Sequence, residues 1–224
     1  MKKVAVLIPC YNEEQTIEKV IFDFKKVLPE AKIIVYDNNS TDSSAKLAKQ
    51  AGATVRFVKK IGKGNVVREM FNKENMDCLL IVDADDTYAA KNAKKMVNLV
   101  LNDGYDMVIG DRLSTTYLKE NRRTFHNIGN KLVRFLVRKI HGVKVNDVLT
   151  GYRAFSKKFV NDFPAHSNGF EVETEMTIFL SNNKYKYIEI PIGYKNRPAG
   201  SHSKLRTFRD GAKVLKTVLK RSSK

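Results

Sequence analysis

The sequence predicts an α/β fold: a mostly parallel sheet covered by helices on both faces. Two observations carry that prediction. Short β-branched runs alternate with stretches of helical periodicity through the N-terminal half. Three polar clusters, Pro9–Glu14, Asp37–Asp42 and Asp83–Thr87, each follow one of those runs. Ligands of open parallel sheets bind beyond the carboxyl ends of the strands, so the three clusters are expected to share one site.

Val4–Ile8 is the first expected strand, ended by Pro9, and Glu13–Leu28 is helical through Ile17, Val20, Ile21, Phe24 and Leu28. Lys32–Tyr36 is the second strand. The turn-forming Asp37-Asn38-Asn39-Ser40 follows, and Thr41 or Asp42 is positioned to cap a helix reaching about Ala51. Thr54–Val58 reads as a strand, Gly62-Lys63-Gly64 as a loop, Asn65–Phe71 as a helix and Cys78–Val82 as a fourth strand. A helix over Ala89–Leu101 leads to a strand at Met107–Ile109 and then to Gly110-Asp111-Arg112. Asn121–Ile140 is a basic amphipathic helix with Ile128, Leu132, Phe135, Leu136 and Ile140 on its apolar side. Phe170–Asn182 and Phe208–Leu219 are further helices, Lys186–Tyr194 is a late strand, and Lys195–Lys204 is a polar loop. There is no internal repeat and no linker-like stretch.

The 224 residues, 42 % of them hydrophobic, suffice for a layered core and exclude a wholly disordered chain. No run approaches the roughly 20 apolar residues of a bilayer span, and no apolar signal segment follows Met1. Cys10 and Cys78 sit beside strand-like runs, as reduced, buried thiols of a cytosolic chain would. The net charge of +17 is uneven: residues 113–224 hold 23 basic and 8 acidic side chains. That asymmetry suits nucleic acid, a phosphorylated ligand or a lipid surface, and a solvated basic face is the plain alternative.

Asp83 and Asp85 end a hydrophobic run and share side-chain parity in an extended segment. A hard divalent cation takes such oxygen ligands together with substrate phosphates; capping of the next helix is the competing role. Asp37–Asp42 is either an Asx-rich turn or a nucleoside site. Gly62-Lys63-Gly64 is too short for a Walker loop and no dinucleotide fingerprint occurs, which argues against P-loop hydrolases and ordinary dehydrogenases. Glu171, Glu173 and Glu175 fan around a helix, so one or two at most line a pocket. The four histidines lack zinc-ligand spacing, no Gly-x-Ser-x-Gly elbow is present, and no RNA motif or reading helix accompanies the charge.

Taken in order, these motifs resemble the family 2 glycosyltransferases over Val4 to Gly211, and more narrowly their polyprenyl-phosphate branch of the dolichyl-phosphate mannose synthase type. Pro9-Cys10-Tyr11-Asn12-Glu13-Glu14 is similar to the opening nucleotide motif, Asp37–Asp42 to the second, and Gly62-Lys63-Gly64 to the basic loop after it. Asp83-Ala84-Asp85 resembles the metal motif, Gly110-Asp111-Arg112 a segment near the acceptor, and His126–Asn130 a step on the acceptor helix. Asp147–Arg153, Phe170–Glu173 and the basic Arg197–Leu205 loop complete the series.

The resemblance implies a GT-A fold: a catalytic domain over 1–211, with a nucleotide-sugar half to about 112 and an acceptor half beyond it, and a basic tail over 212–224. It implies inverting transfer of a hexose from a nucleotide diphosphate to polyprenyl phosphate. The 170–175 and 197–205 segments are closer to users of UDP-N-acetylglucosamine or UDP-glucose than of GDP-mannose. Asp85, supported by Asp83, is expected to hold Mg²⁺ or Mn²⁺ on the donor. Pro9, Tyr11, Glu13, Asp37, Asn39, Lys63, Asp83 and Ala84 are expected around the nucleotide, and Glu173 at the sugar. Arg112, Arg134, Arg197 and Lys204 are candidates for phosphate, and Arg153 either joins them or ties down its own turn. Of these, Asp85, Arg112, Lys204 and Glu173 are the candidate catalytic residues. Many relatives carry C-terminal transmembrane helices, so the expectation is peripheral docking on an anionic cytoplasmic membrane face through Lys119, Arg122, Arg123, Lys131, Arg134, Arg138 and Lys139. A small membrane partner or self-association is compatible with it, as is a sequence lacking its membrane helices; nucleic acid is not an expected partner.

Overall fold

The computed structural model describes residues 2–115, 124–182, 185–198, 200–201 and 203–220, those of 124–128 and 182 without side chains. Lys119, Arg122, Arg123, Ala199 and His202 lie outside these residues, as does the start of the expected acceptor helix.

The described strands form one seven-stranded sheet in the order β3-β2-β1-β4-β6-β5-β7. In chain order they are β1 (Val4–Cys10), β2 (Lys32–Asp37), β3 (Thr54–Phe57), β4 (Cys78–Ile81), β5 (Met107–Asp111), β6 (Arg153–Ser156) and β7 (Tyr187–Pro191). All neighbouring pairs are parallel except those made by β6, which runs antiparallel between β4 and β5. The helices are α1 (Ile17–Val27), α2 (Ser44–Gln50), α3 (Lys63–Lys73), α4 (Ala93–Leu101), α5 (Thr124–His141), α6 (Lys157–Asp162), α7 (Val172–Asn182) and α8 (Thr207–Leu219).

The expected α/β architecture is therefore present, and its deviations have local causes. β1 runs on through Pro9 to Cys10, because its pairing with β4 stops at Leu7 and only β2 accompanies the last residues. α1 starts at Ile17 rather than Glu13: Asn12 is left-handed at φ 53°, and Ser44 and Asp42 take the N–H groups of Glu13 and Glu14. β6 and α6 were not expected from the sequence. Arg-Ala-Phe-Ser is short and opens on a charge, yet it fills the middle of the sheet.

Two apolar layers cover the sheet. Ile17, Ile21 and Phe24 of α1 with Met96 and Val100 of α4 pack on one face. On the other, Val67 and Met70 of α3, Val133 and Val137 of α5, Met176 of α7 and Val214 and Val218 of α8 pack together. Burial on this scale is the main source of stability, at about 25 cal/mol per Å² of apolar surface removed from water. Cys10 and Cys78 are buried and unpaired, and burial pushes both thiols up to about 12.

On α5 the inward face differs from the expected one. Val133 and Val137 enter the core and Leu136 is half-buried, whereas Leu132, Phe135 and Ile140 are 45 %, 57 % and 37 % exposed. Among the described residues no helix is long and apolar enough to cross a membrane.

Candidate active site

The carboxyl ends of β1, β2 and β4 converge as expected, and each is followed by a left-handed Asn or Asp: Asn12 at φ 53°, Asn39 at 66° and Asp86 at 56°. These residue types tolerate that conformation, which turns the chain sharply and leaves the preceding side chains facing the strand ends. Two cavities open there, of about 230 and 490 Å³. They share one wall made of Lys63, Asp83, Asp85, Phe170, Arg197, Ser203 and Leu205.

The smaller cavity is lined by Pro9, Tyr11, Glu13, Asn38, Gly62 and Ala84. Asn38 builds its floor: the amide donates to Val58 O and Lys60 O, and its Oδ1 accepts from Gly62 N–H. Gly62 is at φ 128°, and a Cβ there would fall 2.2 Å from Asn168 O. The glycine thus permits the loop to lie against 167–168, with Gly64 N–H donating to Asn168 O. Asn39, an expected nucleotide residue, instead spends its amide on Val58 O and Lys59 O and does not line the cavity. Asp37, also expected at the nucleotide, is buried beside Asn38 with Oδ1 lacking a hydrogen-bond partner, and it lines neither cavity.

The shared wall is a dense charge array. Lys63 Nζ lies 2.5 Å from Asp83 Oδ1 and 2.7 Å from Glu173 Oε1. Burial opposes its charge, but Asp83 and Glu173 overcome this and hold the ammonium well above its ordinary pKa. Burial raises the Glu173 carboxyl against the pull of Lys63, and burial together with Asp83 raises that of Asp85. β4 ends before Asp83, so a turn rather than extended parity brings the two aspartates together. Asp85 Oδ1 accepts from Thr87 Oγ1 at 2.6 Å and from Thr87 N–H at 3.2 Å, so it holds the turn while lining both cavities. Gly151 makes room for the array: a Cβ there would lie 2.5 Å from Asp83 Oδ2 and 2.7 Å from Lys63 Nζ.

Among the described residues no three His, Cys, Asp or Glu side chains form a metal cage. The donor set of Asp83 and Asp85 nevertheless fits Mg²⁺ or Mn²⁺, because such ions bind through one or two carboxylates when substrate phosphates complete the shell.

The basic loop closes over this wall. Arg197 reaches Asp85 Oδ2 at 2.6 Å and Glu13 Oε1 at 3.0 Å. Lys204 donates to Asn12 O at 2.7 Å and lies 3.2 Å from Glu13. Glu13, expected at the nucleotide, therefore anchors the loop, and Lys204 sits on the smaller cavity rather than among the residues lining the larger one. Lys195 is held by Asp86 at 2.8 Å.

The larger cavity adds Arg112, Asn130, Val133, Leu149, Tyr194 and Asp210. Arg112 pairs with Asp147 through Nε at 2.7 Å and Nη2 at 2.9 Å, and its Cζ lies 5.9 and 5.7 Å from the ring centroids of Tyr88 and Tyr194. Arg134 does not line the cavity; it bonds to Asn146 Oδ1. Of the two roles expected of Arg153, acceptor contact and tether of its own turn, its position fits the tether and not the contact. Its side chain is 1 % exposed and donates to Val148 O, Thr150 O and Thr177 Oγ1 at 2.7–3.0 Å, so it ties down the 147–153 segment from inside the core. Of the three neighbouring glutamates only Glu173, the one expected at the sugar, lines either cavity; Glu171 and Glu175 accept from backbone N–H groups at 166–169. Asn38, Gly151 and Tyr194 were not singled out from the sequence. The Gly-Tyr-Arg run and the turn position of Asn38 were the available signals.

Known proteins place this arrangement. The chain is 36 % identical over 220 residues to glycosyltransferase AglJ of Haloferax volcanii, covering 98 % of this chain and 72 % of that protein. It is 30 % identical over 217 residues to a dolichyl-phosphate hexose transferase of the same organism, covering 97 % and 92 %. Its GT-A fold is shared with the glucosyl-3-phosphoglycerate synthase of Mycobacterium tuberculosis, crystallised with Mn²⁺, UDP and phosphoglyceric acid; the TM-score is 0.76 at 20 % identity, covering 97 % and 78 %. The profile of Glycosyl transferase family 2 matches residues 5–163, and the chain belongs to that family.

Proposed function

We propose that this glycosyltransferase moves a hexose, N-acetylglucosamine first among the candidates, from a UDP-sugar to polyprenyl phosphate. The observation that carries the reading is the shared Asp83–Asp85–Lys63–Arg197 wall, with a nucleoside-sized cavity on one side and an arginine-bearing cavity on the other. The likeness to a dolichyl-phosphate hexose transferase supports the lipid acceptor. UDP in the similar crystal structure supports the nucleotide class.

In this reading Pro9, Tyr11, Asn38 and Ala84 frame the nucleoside. Asp83 and Asp85 would hold Mg²⁺ or Mn²⁺, which when bound would supply positive charge against the departing diphosphate. Arg197 and Lys204 exchange their carboxylate partners for donor phosphate, and Glu173 with Lys63 contacts the hexose hydroxyls. Arg112 orients the acceptor phosphate. A phosphate oxygen forms the bond to the anomeric carbon as the bond to the UDP oxygen breaks, and UDP leaves with the electron pair. Attack from the opposite face turns an α-linked donor into a β-linked lipid phosphate. The acceptor is already an anion, so alignment and charge stabilisation do the catalysis without a general base. The carboxylates that a saccharide hydroxyl would require as base are otherwise engaged: Asp147 by Arg112, Asp86 by Lys195, and Glu171 by the 168–169 backbone.

The test is a screen of radiolabelled nucleotide sugars against polyprenyl phosphate, with Mn²⁺ or Mg²⁺ and with EDTA. One label entering the organic phase, lost with EDTA and in Asp85→Ala, is the expected result. Transfer to sugars instead would establish the saccharide acceptor, and transfer of glucose or mannose would replace N-acetylglucosamine. Absence of donor binding would reject the whole reading. We place the membrane contact on the exposed Leu132, Phe135 and Ile140 and their basic neighbours Lys131, Arg138 and Lys139, each cation adding about 1 kcal/mol near an anionic leaflet. Flotation with anionic liposomes that falls with salt is expected; a protein wholly unbound at low salt would refute this contact.

A further inference from the structure

Arg112 is aimed at the larger cavity by a support that lies behind it. Its backbone N–H and Nε both donate to Asp147 Oδ2, at 3.0 and 2.7 Å, while Nη2 donates to Oδ1. The preceding residue serves the second basic side chain: Asn146 Oδ1 accepts from Arg134, and its amide donates to Asp111 Oδ2 at 2.8 Å and Ser114 Oγ at 3.2 Å. Asn146 and Asp147 belong to an irregular connection between α5 and β6, so no helix or strand ladder fixes their backbone. Arg153 holds the carbonyls that follow, and a single side chain takes both N–H groups of the dipeptide. Glu189 of β7 accepts the Asn146 N–H on Oε2 at 2.7 Å and the Asp147 N–H on Oε1 at 2.9 Å.

We propose that Glu189 is a positioning residue for phosphate recognition: its carboxylate clasps the Asn146–Asp147 backbone and thereby sets the guanidinium of Arg112. The inference rests on the reading of Arg112 as the acceptor-phosphate contact. Two oxygens gripping two successive N–H groups fix both the place and the rotation of the dipeptide, which a single bond would not. β7 is parallel to β5, with Glu189 in register with Ile109, three residues before Arg112, so the clasp and the arginine are carried by adjacent strands. Burial, with Asp111 and Asp147 nearby, raises the Glu189 carboxyl, and the two N–H groups work in the opposite direction. A carboxylate kept in such surroundings is consistent with a demand for both of its oxygens. Neither Glu189 nor Asn146 lines a cavity, so neither is expected to touch substrate.

The experiment compares Glu189→Gln, Glu189→Ala, Arg112→Ala and the Arg112→Ala/Glu189→Gln double variant in full-length protein. Donor binding, the KM for polyprenyl phosphate and the melting temperature are measured for each. Glutamine keeps one oxygen and glutamate's shape, so Glu189→Gln is expected to raise the acceptor KM about tenfold and Glu189→Ala further, with donor affinity within about twofold. The double variant is expected to match Arg112→Ala, because an arginine that is absent needs no support. An unchanged acceptor KM in a folded Glu189→Gln, or additive losses in the double variant, would overturn the proposal. So would parallel losses of melting temperature, donor binding and acceptor binding, which mark a purely structural role. If Arg112→Ala itself leaves the acceptor KM unchanged, the acceptor reading fails, independently of Glu189.

Discussion

The two cavities are made in different ways. The smaller one is bounded chiefly by residues immediately following β1, β2 and β4 and at the start of α3, each set local to one strand end or loop. The larger one gathers Arg112, Asn130, Leu149, Glu173, Tyr194 and Asp210 from separate segments, with Arg112 held by groups further back still. A strand end presents its loop wherever the sheet places it, so the first cavity depends on the sheet. The second depends on how helices and connections from the C-terminal half pack against that sheet. Damage to the first is therefore expected to appear in donor and metal binding, and damage to the second in acceptor binding.

The largest expected effect is on the wall the two cavities share: Asp85→Ala is expected to lower turnover by about 10³-fold or more while acceptor binding persists. Mn²⁺ binding followed by electron paramagnetic resonance is expected to weaken in parallel; retained binding would separate Asp85 from the metal. Next in size is Arg153→Met. Its guanidinium satisfies two carbonyls and a hydroxyl in the core, so its removal is expected to cost about 3 kcal/mol of unfolding free energy. Denaturant unfolding measures this, and the remaining folded protein is expected to keep its acceptor KM. A rise in that KM with the unfolding free energy unchanged would return Arg153 to the acceptor site.

Gly151→Ala probes the shared wall. The added Cβ must displace Asp83 or Lys63, and a shift near 1 Å is expected to lower kcat about 10²-fold. Donor titration and stopped-time kinetics check it, and wild-type rates would mean that the wall tolerates the displacement. The smallest effect concerns the sheet beneath both cavities. With thiols pushed up to about 12, Cys10 and Cys78 carry negligible thiolate at pH 8, and that fraction grows only as pH rises toward the shifted value. A thiol reagent is expected to leave the native protein unlabelled at pH 8 and to label both cysteines after denaturation. Cys10 borders the smaller cavity, so fast native labelling of Cys78 is the result that would show the sheet opening.

Much of this was legible in the sequence where the information is local. Asp83 and Asp85 follow four consecutive apolar residues, and Pro9 to Glu14 follows another such run, so strand, turn and polar cluster are read together. The chemistry of the Arg197–Lys204 loop was legible too, although its partners were not: Glu13 lies nearly the whole chain away. Arg153 was ambiguous because an arginine after a Thr-Gly-Tyr turn reads equally as a ligand contact or a tether. Its burial, which decides the matter, is a property of the completed core. β6 was missed for the same reason, since four residues with a charge at the front become a central strand only between β4 and β5.

By itself the sequence determined the alternation of strands and helices, the carboxylates at the strand ends, the concentration of positive charge in the C-terminal half and the family. Those follow from side-chain periodicity, turn chemistry and composition, which act over a few residues or over the whole chain at once. Tertiary structure alone decided that Glu13 holds the basic loop, that Arg153 belongs to the core, that Leu132 and Phe135 face outward, and that Glu189 grips the backbone behind Arg112. Each depends on two segments distant in sequence meeting at hydrogen-bond or van der Waals range. Only the packed sheet and helices bring such segments together.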